Sequence, residues 1–358
     1  MRKISLTLIF LCCVATMTAQ TPALKYIDAT QLNVIGKIAL TPQPYHRIDT
    51  QKYGGFTDYQ QILVKESAGL KVCFKTNSST ISIKSYYSDY PNANNMTVIN
   101  QLGYTLYIKK DGKWLYAGSG GERKSGKPWN IVSNMKAGEK ECLLYMPSFA
   151  IVDTLQIGVD SNATITASAN PFRHRIVLFG SSFTHGTCAN RPGMSYPMIL
   201  ERNTGLHIIN LGMSGNSELQ QSFARVLADA DADAFIFDAF SNPLANTIEE
   251  RFDDFVKTIR AKHPTTPLIF MQTIYRENRN FDEKYDKREQ DKMDVAEKVV
   301  KNAMKTDKNI YFINPKNMTG DDHDTSTDGI HPCTMGYARW ADAIERPIVK
   351  ILSKYGIK

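Results

Sequence analysis

Two patterns of hydrophobic and polar positions divide the chain. From about residue 25 to 170, runs of six to eight residues alternate or stay apolar: "KVCFKT" (71–76), "TISIKSYY" (80–87), "YTLYIKK" (104–110) and "TLQIGV" (154–159). Turn-forming clusters separate them, among them Thr76-Asn77-Ser78-Ser79, Asp111-Gly112 and Gly118 to Gly121. No helical period of useful length interrupts this stretch. Short strands at regular spacing with such turns predict an antiparallel β-sandwich.

At "NPFRHR" (170–175) the pattern changes. Apolar strands, "IVLFG" (176–180), "HIINL" (207–211), "AFIFDAF" (234–240), "PLIFMQT" (267–273) and "NIYFIN" (309–314), now alternate with amphipathic stretches at 246–262, 283–306 and 335–354. Uniformly apolar strands separated by helices predict a parallel sheet covered on both faces, a three-layer α/β/α domain. Ligands of such sheets bind at the carboxyl ends of the strands.

The first residues stand outside both patterns. Arg2 and Lys3 precede "ISLTLIFLCCVA", with small residues around Thr18 and Ala19. A basic start and a short apolar core predict a cleaved signal peptide over 1–19 and an exported protein, periplasmic or extracellular. No other segment approaches membrane-spanning length. The boundaries then expected are a sandwich at 20–170 and an α/β domain at 171–358.

Composition changes this picture little. The chain has 358 residues, 42% hydrophobic and 22% charged, as in an ordinary globular protein. Removing Arg2 and Lys3 takes the formal charge from +7 to +5. That excess is spread along the chain and argues against a nucleic-acid partner. The remaining cysteines are Cys73, Cys142, Cys188 and Cys333. Their wide spacing excludes a zinc knuckle, and four cysteines admit three pairings among which the sequence does not choose. Cys73 and Cys142 lie in apolar strand runs and read as buried thiols. Cys188 and Cys333 lie near the candidate chemistry, which leaves a bridge between them open.

Four strand-end loops carry that chemistry. Gly180-Ser181-Ser182 follows the first strand of the second half, and "NLGMSGN" (210–216), with Gly215, follows the second. "DAFSNP" (238–243) holds Asn242 before a proline, and "TDGIHPCTMGY" (327–337) sets Asp328 three residues before His331. An acid and an imidazole on one short turn let the carboxylate hold the Nδ1 proton, leaving Nε2 to take a proton from serine. Backbone N–H groups of the serine and Gly215, with the Asn242 amide, would serve a developing oxyanion.

In this order the four blocks resemble the SGNH hydrolases, also called the GDSL esterase and lipase family. "GSS" stands where that family has Gly-Asp-Ser, which carries the nucleophile to Ser182 and not Ser181. "NLGMSGN" matches the second block at Gly215, the Asn block falls on Asn242, and "DGIHP" matches the Asp-x-x-His block. The strand-rich leader resembles that of a secreted bacterial subgroup with a Gly-x-Asp-Leu-Tyr signature; here "GYTLY" (103–107) has Thr105 for Asp. The third block, "FSNP", also departs from the family's Gly-x-Asn-Asp.

The resemblance implies a flavodoxin-like hydrolase domain and a serine esterase with no cofactor and no metal. Its catalytic residues would be Ser182, His331 and Asp328, with Ser182, Gly215 and Asn242 as the oxyanion hole. His185, three residues past the nucleophile, is a candidate for the pocket wall. The resemblance favours removal of small acyl groups, acetyl above all, from an acylated glycan or another small ester. A lipase or thioesterase with the same triad, or a non-catalytic glycan-binding protein on a hydrolase scaffold, are the readings it competes with.

Overall fold

A computed structural model describes residues 23–358. The leader expected over 1–19 lies outside the described residues.

The amino-terminal half is a sandwich of two antiparallel sheets. One has four strands in the order Leu24–Asp28, Ile151–Asp160, Ile81–Asp89, Trp129–Val132. The other runs Ile165–Ala167, Lys71–Thr76, Lys140–Tyr145, Tyr104–Lys110, Lys113–Gly120, with Asn33–Ile35 also pairing Lys71–Thr76. Alternate residues point inward, so Phe74, Ile81, Ile83, Leu106, Leu144 and Ile157 fill a common core. Thr105, in place of the signature aspartate, is buried with its hydroxyl unpartnered.

Two helices interrupt the sandwich where the pattern predicted none, Asp58–Leu63 and Val98–Leu102. At six and five residues they are too short to display a hydrophobic period. Their starts are nevertheless written locally. Thr57 accepts from the Gln60 N–H while the Gln60 side chain accepts from the Thr57 N–H, and Thr97 caps the second helix through the Asn100 N–H.

The carboxyl-terminal half is a five-stranded parallel sheet in the order Leu206–Gly212, Arg173–Gly180, Ala234–Asp238, Leu268–Met271, Ile310–Ile313. Ile176 and Leu178 face one apolar cluster, shared with Trp340 and Ile344 of the Thr334–Leu352 helix. Val177 and Phe179 face the other, shared with Phe223, Phe252 and Val300 of the helices on the opposite side. The sheet is therefore covered on both faces, as its uniformly apolar strands require. Strand order reverses beside Arg173–Gly180, which places a crevice at the carboxyl end of that strand.

The halves share buried contacts. Ile35, Tyr107, Leu143 and Tyr145 of the sandwich belong to the same cluster as the α/β residues Ile176 and Trp340. Lys71 Nζ lies 2.6 Å from Glu201 Oε2 with both side chains fully buried, and the Tyr145 hydroxyl donates to Glu201 Oε1 at 3.1 Å. Arg47, also buried, donates to the carbonyl oxygens of Gly212 (2.9 Å) and Asn210 (3.3 Å).

Removing one member of a buried pair leaves the other charge uncompensated, at a cost of about 3–5 kcal/mol, whereas replacing both with apolar groups is far cheaper. Lys71→Met should therefore lower the free energy of urea unfolding by about that amount. Lys71→Met combined with Glu201→Leu should recover most of the loss. A single mutant as stable as wild type would show that the pair holds nothing together.

Candidate active site

The Arg173–Gly180 strand delivers its last residue into a tight turn, followed by the short helix Ser182–His185. Gly180 is required here: a Cβ would lie 2.1 Å from Thr184 Oγ1 and 2.8 Å from Asp238 Cβ. The two serines then part. Ser181 is fully buried, caps the helix through the Phe183 N–H (3.1 Å), and donates to Asp238 Oδ2 at 2.8 Å. Ser182 faces a cavity, its Oγ 2.9 Å from Nε2 of His331.

His331 sits on a loop held closed by its own backbone. Its carbonyl accepts from the Thr327 N–H (2.9 Å) and the Ser326 hydroxyl (3.1 Å), and the Cys333 N–H donates to Thr325. Asp328 Oδ2 accepts from His331 Nδ1 at 2.8 Å, while Oδ1 accepts from the backbone N–H groups of Ile330 (3.0 Å) and His331 (2.8 Å). A fourth donor comes from the sandwich: Asn95 Nδ2, 2.8 Å from Asp328 Oδ2. Burial alone would raise the Asp328 carboxyl, but these hydrogen bonds and the imidazole bring it down to about 2. The carboxylate thus stays ionised and fixes the imidazole with Nε2 toward Ser182.

Gly215 and Asn242 line the same cavity. Gly215 has φ of +69°, and no atom stands within 4 Å of where its Cβ would be, so its backbone is open on that side. Asn242 Oδ1 accepts from the Ser217 N–H at 3.2 Å, which leaves its Nδ2 hydrogens as the unengaged end. The cavity, about 620 Å³, brings together four of the six positions singled out in sequence: Ser182, His331, Gly215 and Asn242, with Asp328 behind the histidine. A larger hollow of about 780 Å³ lies elsewhere, among Lys52, Arg225, Asp229 and Lys262, and contains neither serine nor histidine.

His185 is not on the wall. It is buried behind it, stacked on Phe149 at 4.1 Å between centroids and bonded to Ser214 Oγ (3.0 Å) and the Ser148 carbonyl (2.8 Å). The wall there is made by Phe149 and Ser214. The contacts with Phe149, Ser214 and the Ser148 carbonyl hold the ring there, although it follows Ser182 by one helical turn. Cys188 and Cys333 form no bridge; all four described cysteines are free thiols.

Several groups at this site carried no sequence signal. Asp238, at the end of its strand, accepts from the hydroxyls of Ser181 (2.8 Å), Thr184 (3.0 Å) and Ser241 (3.0 Å), tying the serine turn to the asparagine loop. Its carboxyl is raised by burial. Asn95 reads in sequence only as one Asn-x-Ser/Thr site among several. The sandwich also supplies Tyr59, Ile62, Glu66, Asp89, Met96 and Phe149 to the cavity, a long-range pairing that local patterning does not encode.

Cys188 Sγ, Asp328 and His331 form a cluster of metal-ligating atoms within 4.8 Å of one another. Asp328 and His331 are already engaged with each other, and burial with Asp328 alongside pushes the thiol up to about 12. That opposes the thiolate a metal requires.

The amino-acid sequence matches two family models: a GDSL-like lipase/acylhydrolase family over residues 173–349, and the GxDLY amino-terminus of SGNH-type esterases over residues 24–165. No curated protein matches. Among solved structures, a putative GDSL-like lipase from Bacteroides ovatus is 41% identical over 92% of this chain and 98% of its own, with a TM-score of 0.90. A salicylyl-acyltransferase from a tetracycline biosynthetic pathway shares the fold at 19% identity (95% of this chain, 100% of that one, TM-score 0.73). A family two carbohydrate esterase from Cellvibrio japonicus shares it at 12% (93% and 99%, TM-score 0.61). The 41% identity over 92% of the chain, with the two family matches, means that the chain belongs to the GDSL-like lipase/acylhydrolase family, the SGNH hydrolases, in the form that carries a GxDLY amino-terminal domain.

Proposed function

We propose that the protein is an exported serine esterase that removes small acyl groups, acetyl foremost, from carbohydrates. The observation that carries the reading is the 2.9 Å contact between Ser182 Oγ and His331 Nε2, backed by the 2.8 Å contact between His331 Nδ1 and Asp328, at the floor of an open cavity.

The reaction follows from these positions. Ser182 Oγ attacks the ester carbonyl carbon while its proton passes to His331 Nε2. The oxyanion is met by the N–H groups of Ser182 and Gly215 and by Asn242 Nδ2; a donor of this kind is worth about 3 kcal/mol. Collapse breaks the bond to the alcohol oxygen, which leaves with the proton from His331. Water then gives a proton to His331 and attacks the acyl-enzyme, releasing the acid and restoring Ser182.

The cavity supports a polar leaving group more than a long acyl chain. Glu66, whose Oε2 has no hydrogen-bond partner, and Asp89 both reach it, and burying hydrocarbon against such groups leaves them without partners. Carbohydrate esterases occur among the proteins that share this fold. The sandwich supplies much of the wall, which supports residues 20–170 and 171–358 acting as one unit. The test is incubation with acetylated polysaccharides and measurement of released acetate. Release by wild type and none by Ser182→Ala supports the reading. Turnover of long-chain glycerides or thioesters with acetylated glycans untouched overturns it.

A further inference from the structure

Ser214 lines the cavity, and its hydroxyl proton can be placed from its neighbours. Its Oγ is 3.0 Å from Nδ1 of His185. On the other edge of that ring, Nε2 lies 2.8 Å from the Ser148 carbonyl oxygen and 3.2 Å from Glu66 Oε2. A carbonyl oxygen only accepts, so Nε2 carries a hydrogen. The ring is fully buried, and burial, with the charge of Arg47 nearby, pushes its pKa well below the ordinary value. It is therefore neutral and holds that single hydrogen, and Nδ1 is bare. The proton shared with Nδ1 is then the Ser214 hydroxyl's. A serine whose only proton points into the protein has only lone pairs left for the cavity.

Ser214, His185 and Glu66 are the residue types of a second triad, but they do not work as one. A ring so reluctant to take a proton is a poor base, and its Nε2–H is already committed to Ser148.

We infer that Ser214 is a specificity-determining acceptor, taking a hydroxyl proton from the alcohol part of the substrate, so that the site selects esters of alcohols that keep a free hydroxyl, as a partly acylated sugar does. The inference rests on the esterase reading and deepens it. Asp89, which lines the same cavity from the sandwich, adds a second accepting side chain. A site arranged to pair with a hydroxyl discriminates against an analogue lacking it, because the acceptor is then left without a donor.

The test compares two esters, a methyl glycoside monoacetate with its other hydroxyls free and the same monoacetate with them O-methylated. The quantity read is the ratio of their kcat/KM values. Wild type should favour the free-hydroxyl ester, Ser214→Ala should shrink the ratio about 3- to 10-fold, as expected for one neutral hydrogen bond, and Ser214→Thr should restore it. A ratio unchanged in Ser214→Ala, or rates on both esters lost in equal proportion, overturns the inference and leaves the esterase reading standing. A wild-type protein that hydrolyses neither ester overturns both.

Discussion

Ser182→Ala should lose turnover of a short aryl ester by on the order of 10⁴- to 10⁶-fold, while Ser181→Ala keeps activity within about tenfold of wild type. The two hydroxyls are neighbours in sequence but differ in every contact. Ser182 Oγ faces His331 Nε2 at 2.9 Å, and without it no covalent intermediate forms. Ser181 donates to Asp238 and caps the short helix, so its loss should appear in stability, at about 0.5–2 kcal/mol. Steady-state kinetics of both variants, each checked by thermal melting, decides the matter. An inactive, folded Ser181→Ala beside an active Ser182→Ala would reverse the assignment.

His331→Ala should be nearly inactive, and Asp328→Asn should lose up to about 10⁴-fold in kcat, because an amide in place of the carboxylate favours the wrong tautomer without removing the base. The pH dependence has a definite sign. The group whose shift sets it is Asp328, whose carboxylate holds the Nδ1 hydrogen of His331 and is lost only on acidification. Held at about 2 by its hydrogen bonds, Asp328 remains a carboxylate until strongly acid pH. Its depressed value also stabilises the fold above the ordinary carboxylate range, a contribution lost as pH drops toward about 2. A kcat for Asp328→Asn equal to that of wild type would mean that the carboxylate does not serve His331.

Much of this was legible from the chain because the α/β half writes its elements in uniform apolar strands and long amphipathic helices. The Glu283–Thr306 helix has the bounds that its pattern predicts, and three candidate loops fall at strand ends, the fourth in the connection between the last strand and the last helix. The two short helices of the sandwich escaped because six residues are under two turns, although Thr57-x-x-Gln60 was a readable cap. His185 was placed near the site by its spacing from Ser182, but spacing along a helix does not say which side faces the opening. Asn95 on Asp328 and Lys71 on Glu201 join residues 233 and 130 positions apart, and a single sequence carries no signal for such pairings.

On the proposed mechanism Ser182, and no other hydroxyl, carries the acyl group. Labelling the full-length protein with a fluorophosphonate, followed by peptide mapping, tests it most directly, because such a reagent reacts with a serine that has an imidazole base and an oxyanion hole. One adduct per chain is expected, on the peptide containing Ser182, with loss of esterase activity in step with labelling. An adduct on Ser181 or Ser214, or full labelling at Ser182 with activity retained, would contradict it.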